Sequence, residues 1–269
     1  MQVLRLAVFG VTGRMGQSIL RVLRSDPRWR LIGAVASPAS GRLGQDAACD
    51  GNPSGVQVTA DTHAALSQGG QTAAVAVDFS AAAAVAAHAQ ACAAAGVPLL
   101  IGTTGLDAES LAIVTRAAAK IPVLLAPNTS VAVGVLVELV RVAGAALPSS
   151  YDVEIHEAHH RLKRDAPSGT ALKLGEIIAQ ARTQNLAEVA VYDRHGSETR
   201  APGSIGFSVV RAGDIVGEHT VIFAAAGERL EITHRASDRD VFARGALRAA
   251  EWLVGRAPGT YGMQDVLHL

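Results

Sequence analysis

The amino-acid sequence predicts an α/β fold, in which a parallel sheet with helices on both faces precedes a smaller α+β domain with a mixed or antiparallel sheet. Three observations support this prediction. Short apolar runs rich in branched residues alternate with helical patterns through the first half of the chain. A glycine-rich turn follows the first apolar run. After Pro148 the pattern changes to alternating apolar and polar residues in runs separated by glycines. The N-terminal domain is therefore predicted to be Rossmann-like.

The first half contains apolar runs that we interpret as buried parallel strands, with helical segments that provide the right-handed crossovers. The strands are expected at 3–10, 30–37, 73–80, 97–102 and 121–128, and the helices at 15–24, 81–95, 107–119 and 130–146. The glycine- and polar-rich region 37–70 receives no detailed assignment.

The second half carries the alternating runs of the α+β domain. The strands are expected at 151–158, 189–192, 206–213, 217–225 and 228–236, and the helices at 168–182 and 240–254. The sequence thus predicts a first domain over 1–128 and a second over 129–239. The C-terminal segment 240–269 is predicted to pack back on the first domain.

Charge and cysteine usage exclude several classes of protein. The chain has 24 lysines and arginines and 24 aspartates and glutamates, so no overall field favours nucleic acid or an anionic membrane. Charged residues interrupt the apolar stretches, and the first run contains Arg5, which argues against a membrane span or a targeting segment. Cys49 and Cys92 lack metal-type spacing and are predicted to be reduced. We therefore expect a soluble, cytoplasmic protein.

A glycine loop follows the first predicted strand and opens a helix. Gly10, Gly13 and Gly16 are spaced G-x-x-G-x-x-G, with Thr12 where the usual dinucleotide fingerprint has its second glycine. Glycines let backbone N–H groups approach a pyrophosphate, and the helix N-terminus adds a partial positive charge. The alternative is an ordinary strand–helix turn. Because the glycine loop stands at the start of an alternating α/β pattern, dinucleotide binding is the favoured interpretation.

The end of the second predicted strand bears on the choice of cofactor. A carboxylate that holds the adenosine ribose is expected there, but Ser37 occupies the place. Without that negative charge a 2′-phosphate is not repelled, and Arg42 is a candidate partner for it. An exposed loop charge is an equally good interpretation of Arg42. NADPH is therefore at least as plausible a cofactor as NADH.

Two further loops follow strand ends of the same predicted sheet. "GTTG" begins at Gly102 and "APNTS" at Ala126. Ligands bind in the crevice beyond the carboxyl ends of parallel strands. Either loop alone is more typical of simple turn chemistry, but together with the glycine loop they favour contact with the nicotinamide half of a cofactor.

The segment 156–164 concentrates groups that titrate or carry positive charge, namely His156, His159, His160, Lys163 and Arg164. Imidazole exchanges protons near neutrality, and lysine pairs with carboxylates. A zinc site is disfavoured, because adjacent histidines beside a lysine give poor ligand geometry and adverse charge. Nucleophilic catalysis has no support, because neither cysteine is near. For any one of these residues taken alone, a position on the surface without a functional role would be the default interpretation.

The next residues, "DAPSGTA", predict a turn into a helix. Pro167 suits the entry and Ser168 or Thr170 the cap, while the N–H groups of Ser168, Gly169 and Thr170 can accept an anion. A proton donor beside a carboxylate-binding helix start, in a chain with a dinucleotide domain, indicates a reductase of a small acidic substrate.

These motifs together give the chain a resemblance to the 4-hydroxy-tetrahydrodipicolinate reductase family, which runs essentially from end to end. The segments that carry it are "GVTGRMG", "IGTTG", "APNTSVAVGV", "EAHHRLKRDAPSGTA" and "VRAGDIVGEHTVIFAAAGERLEITHRASDR". The resemblance implies an NAD(P)H-dependent oxidoreductase of the diaminopimelate and lysine pathway, with a Rossmann domain and a substrate-binding domain whose sheet builds a homotetramer.

The resemblance also implies roles for individual residues. His159 would be the general acid, Lys163 a proton donor or carboxylate partner, and the substrate dicarboxylate would be held by His160, Gly169 and Thr170. The cofactor would be lined by Gly10, Val11, Thr12, Gly13, Arg14, Met15, Gly102, Thr103, Thr104, Ala126, Pro127, Asn128 and Thr129. The family often has an acid–arginine pair where this chain has Ser37 and Pro38, so the resemblance leaves the cofactor preference open.

Two other functions remain as alternatives at this point. Another two-domain dehydrogenase, of the aspartate-semialdehyde type, would need a catalytic cysteine, and Cys49 and Cys92 are badly placed for it. A catalytically silent NAD(P)-binding sensor would have no need of a proton donor at His159.

Overall fold

The structure, a computed structural model, describes residues 3–196 and 198–269. In chain order its elements are β1 (Leu4–Phe9), α1 (Arg14–Arg24), β2 (Trp29–Val35), α2 (Thr62–Leu66), β3 (Ser67–Gln68), β4 (Gln71–Thr72), β5 (Val75–Asp78), α3 (Ala82–Ala95), β6 (Leu99–Ile101), α4 (Ala108–Ala118), β7 (Pro122–Leu125), α5 (Val131–Ala146), β8 (Asp152–His159), α6 (Gly169–Ala181), α7 (Leu186–Val189), β9 (Ala190–Val191), β10 (Ile205–Arg211), β11 (Gly217–Ala225), β12 (Glu228–Ala236), α8 (Asp240–Leu253), β13 (Gly259–Tyr261) and α9 (Met263–Leu267).

Five strands from the first half of the chain and one from its last residues form a parallel sheet, in the order β13-β7-β6-β5-β1-β2. The chain runs outward from β1 to β2 and then returns to β5 on the other side of β1. The carboxyl ends of β1 and β5 are therefore a topological switch point, where ligands bind in open α/β sheets. The Rossmann-like prediction is confirmed, but the sixth strand, β13, lies in a closing segment to which the sequence assigned no strand.

The chain divides into two compact units. The first unit consists of the chain up to Val131 together with Arg239–His268, and the second consists of Ala132–Asp238 with Leu269. Within the first unit, α8 packs against α1 and against β5, β6 and β7. Its small residues allow this contact. A Cβ atom at Gly245 would lie 1.8 Å from the carbonyl oxygen of Thr129, and the Thr129 hydroxyl donates to the Phe242 carbonyl over 2.7 Å.

The second unit contains a five-stranded mixed sheet in the order β12-β11-β8-β10-β9. Strand β8 pairs in parallel with β10 and antiparallel with β11, so the sheet is mixed. The prediction of a mixed or antiparallel sheet is confirmed. One face packs on α5 and α6 and forms an apolar core, which includes Leu136, Val140, Val153, Ile155, Leu174, Ile178, Phe207, Val221 and Phe223. Side chains alternate along β8, so this core face also receives the side chain of Glu157.

Within the region without an assignment from sequence, 37–70, one side chain holds the turn over residues 46–55. The Asp46 carboxylate accepts the N–H groups of Ala48, Ser54 and Gly55 and the Ser54 hydroxyl. Local side chain–backbone bonds of this kind leave no periodic signal in the sequence. In the described ranges, no helix has the length and apolar character that crossing a bilayer requires.

The close packing of α8 predicts that one added methyl group lowers stability at Gly245 but not at Gly144 on α5. Gly245→Ala places a Cβ 1.8 Å from backbone and should lower the free energy of unfolding by about 1–3 kcal/mol. Gly144→Ala on α5, where a Cβ would lie 3.4 Å from its nearest neighbour, should be neutral or stabilising by up to ~1 kcal/mol. Urea unfolding of both variants measures the difference, and equal stabilities would contradict the described packing.

Candidate active site

The centre of the site in the second unit is a buried carboxylate, that of Glu157. It faces the core side of β8 and is fully buried. Its Oε2 accepts a hydrogen bond from His159 Nδ1 over 2.5 Å. Glu157 and His159 are two residues apart on one strand, so their side chains project from the same face. Because Nδ1 is bound to the carboxylate, Nε2 is the nitrogen left to exchange a proton.

Arg211 closes the other side of this carboxylate. Its Nη1 lies 2.8 Å from Glu157 Oε2 and its Nη2 lies 2.7 Å from Oε1. Burial works to raise the pKa of Glu157, but hydrogen bonds from His159 and Arg211 lower that pKa to about 2. The carboxylate therefore stays ionised near neutrality and can stabilise a positive charge on His159. Sequence reasoning assigned no role to Glu157 or Arg211.

His219 packs against His159, with ring centroids 5.2 Å apart in an edge-on arrangement. Burial, followed by the positive charge on His159, lowers the pKa of His219 to about 3. His219 is therefore neutral at physiological pH, and of these two histidines His159 is the one suited to carry a proton. His219 Nε2 lies 3.0 Å from the Ser168 hydroxyl. Its role was also missed from sequence, although the segment around it carries the family resemblance.

Ser168 is the N-cap of α6, as predicted, but its side chain is buried. Its hydroxyl accepts the Ala171 N–H over 3.2 Å, and its own N–H donates to Glu157 Oε1 over 3.0 Å. The prediction that the Ser168 N–H is free for an anion is therefore wrong, because the buried Glu157 carboxylate takes it. Gly169 begins α6, and a Cβ there would meet no atom within 4 Å.

Lys163 lies in the loop that links β8 to α6. Its ammonium pairs with Asp165 over 2.9 Å, and its side chain is 22% exposed. The backbone N–H of Lys163 donates to the carbonyl of His160, which forms a tight turn. The structure thus brings His159, His160, Lys163 and the start of α6 into one region of the second unit. His156 projects from the opposite sheet face and contacts Ser208 instead.

The glycine loop of the first unit is suited to a pyrophosphate. Gly10 has φ of +76°, and a Cβ there would lie 2.3 Å from the Phe79 carbonyl oxygen. A Cβ at Gly16 would lie 2.5 Å from the Gly10 carbonyl oxygen. Helix α1 starts at Arg14 with Gly13 as its N-cap and no side-chain cap. Its first-turn N–H groups are thus placed to face an anion, so the loop fits a dinucleotide.

The residues proposed to select the cofactor sit at the end of β2. The Arg42 guanidinium donates to the carbonyls of Asp46 and Ala48 over 2.7 and 3.2 Å. This arrangement favours the interpretation of Arg42 as an anchor of its own loop over that of a phosphate partner. The Ser37 hydroxyl accepts the Ala39 N–H over 3.2 Å, which shapes the turn after the strand.

The side chains of the two other predicted cofactor loops point partly inward. The Thr103 hydroxyl donates to Asp78 Oδ1 over 3.0 Å, whereas Thr104 is exposed. Thr129 is buried with its hydroxyl on Phe242, and the Asn128 amide oxygen accepts the Ser130 N–H over 2.9 Å. The hydroxyls of Thr103 and Thr129 are therefore directed to other protein groups, and at these two positions the loops offer their backbone to a ligand.

Comparison with known families now decides the class of the protein. The family model described as "Dihydrodipicolinate reductase, N-terminus" matches residues 4–129, and the one described as "Dihydrodipicolinate reductase, C-terminus" matches residues 132–267. The chain belongs to the dihydrodipicolinate reductase family. The resemblance inferred from the motifs is thereby confirmed, and the family is one of oxidoreductases.

Individual relatives of this family agree. The 4-hydroxy-tetrahydrodipicolinate reductase of Thiobacillus denitrificans is 51% identical, with 98% of each chain covered. The enzyme of the same name from Anaeromyxobacter dehalogenans is 50% identical, again with 98% of each covered. Among solved structures, a dipicolinate-bound dihydrodipicolinate reductase from Paenisporosarcina sp. TG-14 has the same fold. Its TM-score is 0.78 at 24% identity, with 98% of this chain and 99% of that one covered.

The neutral state of His219 predicts a pH-dependent stability. Its pKa falls from an ordinary 6.5 in the unfolded chain to about 3 when folded. Between these values the unfolded state binds the extra proton, so the free energy of unfolding should rise with pH. The slope is at most about 1.4 kcal/mol per pH unit between the two pKa values. Above pH 6.5 it vanishes, because His219 is then neutral in both states and the stability that acid removes is fully present.

Urea unfolding between pH 5.5 and 6.5 measures this slope above the range where Glu157 titrates, because the pKa of Glu157 is an ordinary 4.5 in the unfolded chain and about 2 in the folded one. His219→Gln should flatten it. The control His195→Gln replaces a side chain that is 87% exposed and should leave it unchanged. An equal slope in wild type and His219→Gln would show that His219 is not held neutral.

Proposed function

We propose that this chain catalyses the NAD(P)H-dependent reduction of 4-hydroxy-tetrahydrodipicolinate to tetrahydrodipicolinate in diaminopimelate and lysine biosynthesis. The observation that carries the proposal is the Glu157–His159 pair, held by Arg211 and followed by Lys163 and the start of α6. His159 is suited to donate a proton, and Lys163 with the start of α6 is suited to bind carboxylates. The reaction needs both from the protein, in addition to a hydride from the cofactor. The relatives named for this activity are about half identical over nearly the whole chain.

Overall, the substrate, NAD(P)H and one proton give tetrahydrodipicolinate, NAD(P)+ and water. A nicotinamide cofactor held by the loops at 10–15, 102–104 and 126–129 would supply the hydride to the ring carbon conjugated to the imine, once the 4-hydroxyl has left as water. His159 Nε2 donates the one proton to a ring atom next to the carbon that receives the hydride, where negative charge develops. Glu157 stabilises the protonated imidazole and fixes its orientation through Nδ1. Lys163 remains either a second proton donor or a carboxylate partner only.

The substrate's two carboxylates are proposed to bind His160, Lys163, Gly169 and Thr170. Two observations support this. Space around Gly169 is open, and Gly169 begins α6, where the partial positive charge of a helix N-terminus favours an anion. The Lys163 ammonium is paired with Asp165, whose side chain is 61% exposed, so a substrate carboxylate can compete for it. Ser168 is proposed to act indirectly, because its N–H holds the start of α6 on the Glu157 carboxylate.

The cofactor is proposed to contact residues 10–15, 102–104 and 126–129, through the backbone cradle of Gly10 and the start of α1. Ser37 brings no negative charge to the end of β2, and Arg42 is occupied by carbonyls. We therefore propose that the enzyme uses both NADPH and NADH. A cytoplasmic homotetramer is proposed from the family resemblance, and light scattering after gel filtration tests its mass.

A coupled assay tests the activity. Purified synthase generates the substrate, and the absorbance of NADPH or NADH is followed. Consumption of the cofactor is expected only when both enzymes and the synthase substrates are present. No loss of absorbance with either cofactor would contradict the proposal and favour a silent NAD(P)-binding sensor.

Removing the proton donor should slow the chemical step. His159→Gln is expected to lower kcat by about 10²–10⁴-fold, because the amide cannot donate a proton in general-acid catalysis. The KM for the substrate should change little. The control His195→Gln alters an exposed histidine and should leave kcat unchanged. Near wild-type turnover of His159→Gln would rule out its assigned role.

Lys163→Ala is expected to raise the substrate KM by at least about tenfold, because a charged hydrogen bond contributes about 1.5–3 kcal/mol. A reduced kcat is also expected. Lys173→Ala is the matched control, because Lys173 pairs with Glu176 on the surface and its side chain is 59% exposed. The comparison uses initial rates at varied substrate. A KM that does not move would remove Lys163 from the carboxylate site.

A further inference from the structure

A second buried carboxylate, Asp78, lies at the end of β5 in the first unit. It is fully buried, and His88 on α3 lies against it with Nδ1 2.7 Å from Asp78 Oδ2. His88 is itself 7% exposed and packs on the Phe9 ring, with centroids 4.7 Å apart. The proton transfer described above makes no use of this pair.

Burying such a pair is costly, because both groups lose their hydration. A well-packed apolar pair of similar volume would usually serve stability as well. Burial alone would raise the pKa of Asp78, but hydrogen bonds from His88 and Ser80 bring that pKa below its ordinary value. Asp78 is therefore an ionised acceptor in the core, and the groups that bind it show what it organises.

The other oxygen of Asp78 binds the segment that follows β5 and the proposed cofactor loop that follows β6. Oδ1 accepts the Ser80 N–H over 2.9 Å and the Thr103 hydroxyl over 3.0 Å. The Thr103 hydroxyl in turn accepts the Ser80 N–H over 3.0 Å. The Asp78 carbonyl accepts the N–H of Gly102 over 2.9 Å. One carboxylate thus fixes the segment after β5 and the loop after β6.

The glycine loop rests on the segment that this carboxylate fixes. The Phe79 carbonyl and the Ser80 Cα lie so close to Gly10 that a Cβ there would be 2.3 and 2.8 Å from them. The Phe79 ring also fills the space beside Gly102, where a Cβ would lie 2.1 Å from it. The position of Phe79 and Ser80 therefore sets where the loops at Gly10 and Gly102 stand relative to each other.

We propose that Asp78 and His88 are positioning residues for the nicotinamide cofactor. His88 holds the Asp78 carboxylate, which draws the Thr103 hydroxyl and the Ser80 N–H inward. The backbone of the loop after β6 and the exposed Thr104 are then presented at the switch point. This inference rests on the proposed use of NAD(P)H.

The test measures cofactor binding to the isolated protein, without substrate, by the fluorescence of NADPH and NADH. His88→Ala should raise both dissociation constants about tenfold, as expected for one lost hydrogen bond to a charged group. His88→Asn, whose amide can reach the place of Nδ1, should stay within about threefold of wild type. The control His63→Ala alters an exposed position of α2 and should have no effect.

A second pair of variants covers the case in which His88→Ala does not fold. Thr103→Val keeps the shape but loses the hydroxyl and should weaken cofactor binding in the same sense, whereas Thr103→Ser should retain it. Steady-state rates should show a raised cofactor KM and an unchanged substrate KM. Unchanged dissociation constants, with only a lower melting temperature, would overturn the positioning role. If wild type bound neither cofactor, the proposed function would fail together with this inference.

Discussion

The second unit depends on the compensation of one buried negative charge. Glu157 lies on the apolar face of β8, where an ionised carboxylate survives only if hydrogen bonds replace its lost water. Four such bonds reach it, from the His159 imidazole, the Ser168 N–H and two nitrogens of Arg211. The donors belong to three different parts of the unit: the proposed proton donor, the start of α6 and the end of β10. Arg211 also donates to the Asp165 carbonyl over 2.6 Å, which ties down the loop that carries Lys163.

The same solution occurs in the first unit. Asp78, like Glu157, stands near the carboxyl end of a central strand, accepts from a histidine Nδ1 and uses its remaining oxygen to hold a neighbouring loop. In both units a buried carboxylate accepts hydrogen bonds from groups that belong to the loops and element ends around the proposed sites. Loops at a site need defined positions, yet they lack the ladder hydrogen bonds that fix strands. A buried charge supplies the missing constraint, because leaving any of its donors unpaired is costly.

The sequence was sufficient for most elements because their periodicity is strong. Expected strands and helices lie within three residues of those observed, as with 217–225 for β11 and 81–95 for α3. Strand β13 was missed because its three residues form a strand only by pairing with β7. The sequence singled out the residues His159, Lys163 and Ser168, but not the hydrogen bonds that hold two of them on Glu157. Glu157 stands at the head of the quoted motif, yet a lone acid on a strand does not reveal that it will be buried. The free N–H assigned to Ser168 failed for the same reason, since its acceptor comes from another element.

The return of the chain to its first unit has a consequence for the order of synthesis. Residues 239–268 complete a unit whose other members end at Val131, so the ribosome makes the whole second unit before α8 and β13 exist. Until then the apolar surfaces of α1 and the edge of β7 that these elements cover have no native partner. The intervening chain must be closed as a long loop, which slows such contacts. The first unit, although it begins the sequence, therefore cannot be completed until the second unit has been synthesised, and until then the edge of β7 lacks its native partner strand.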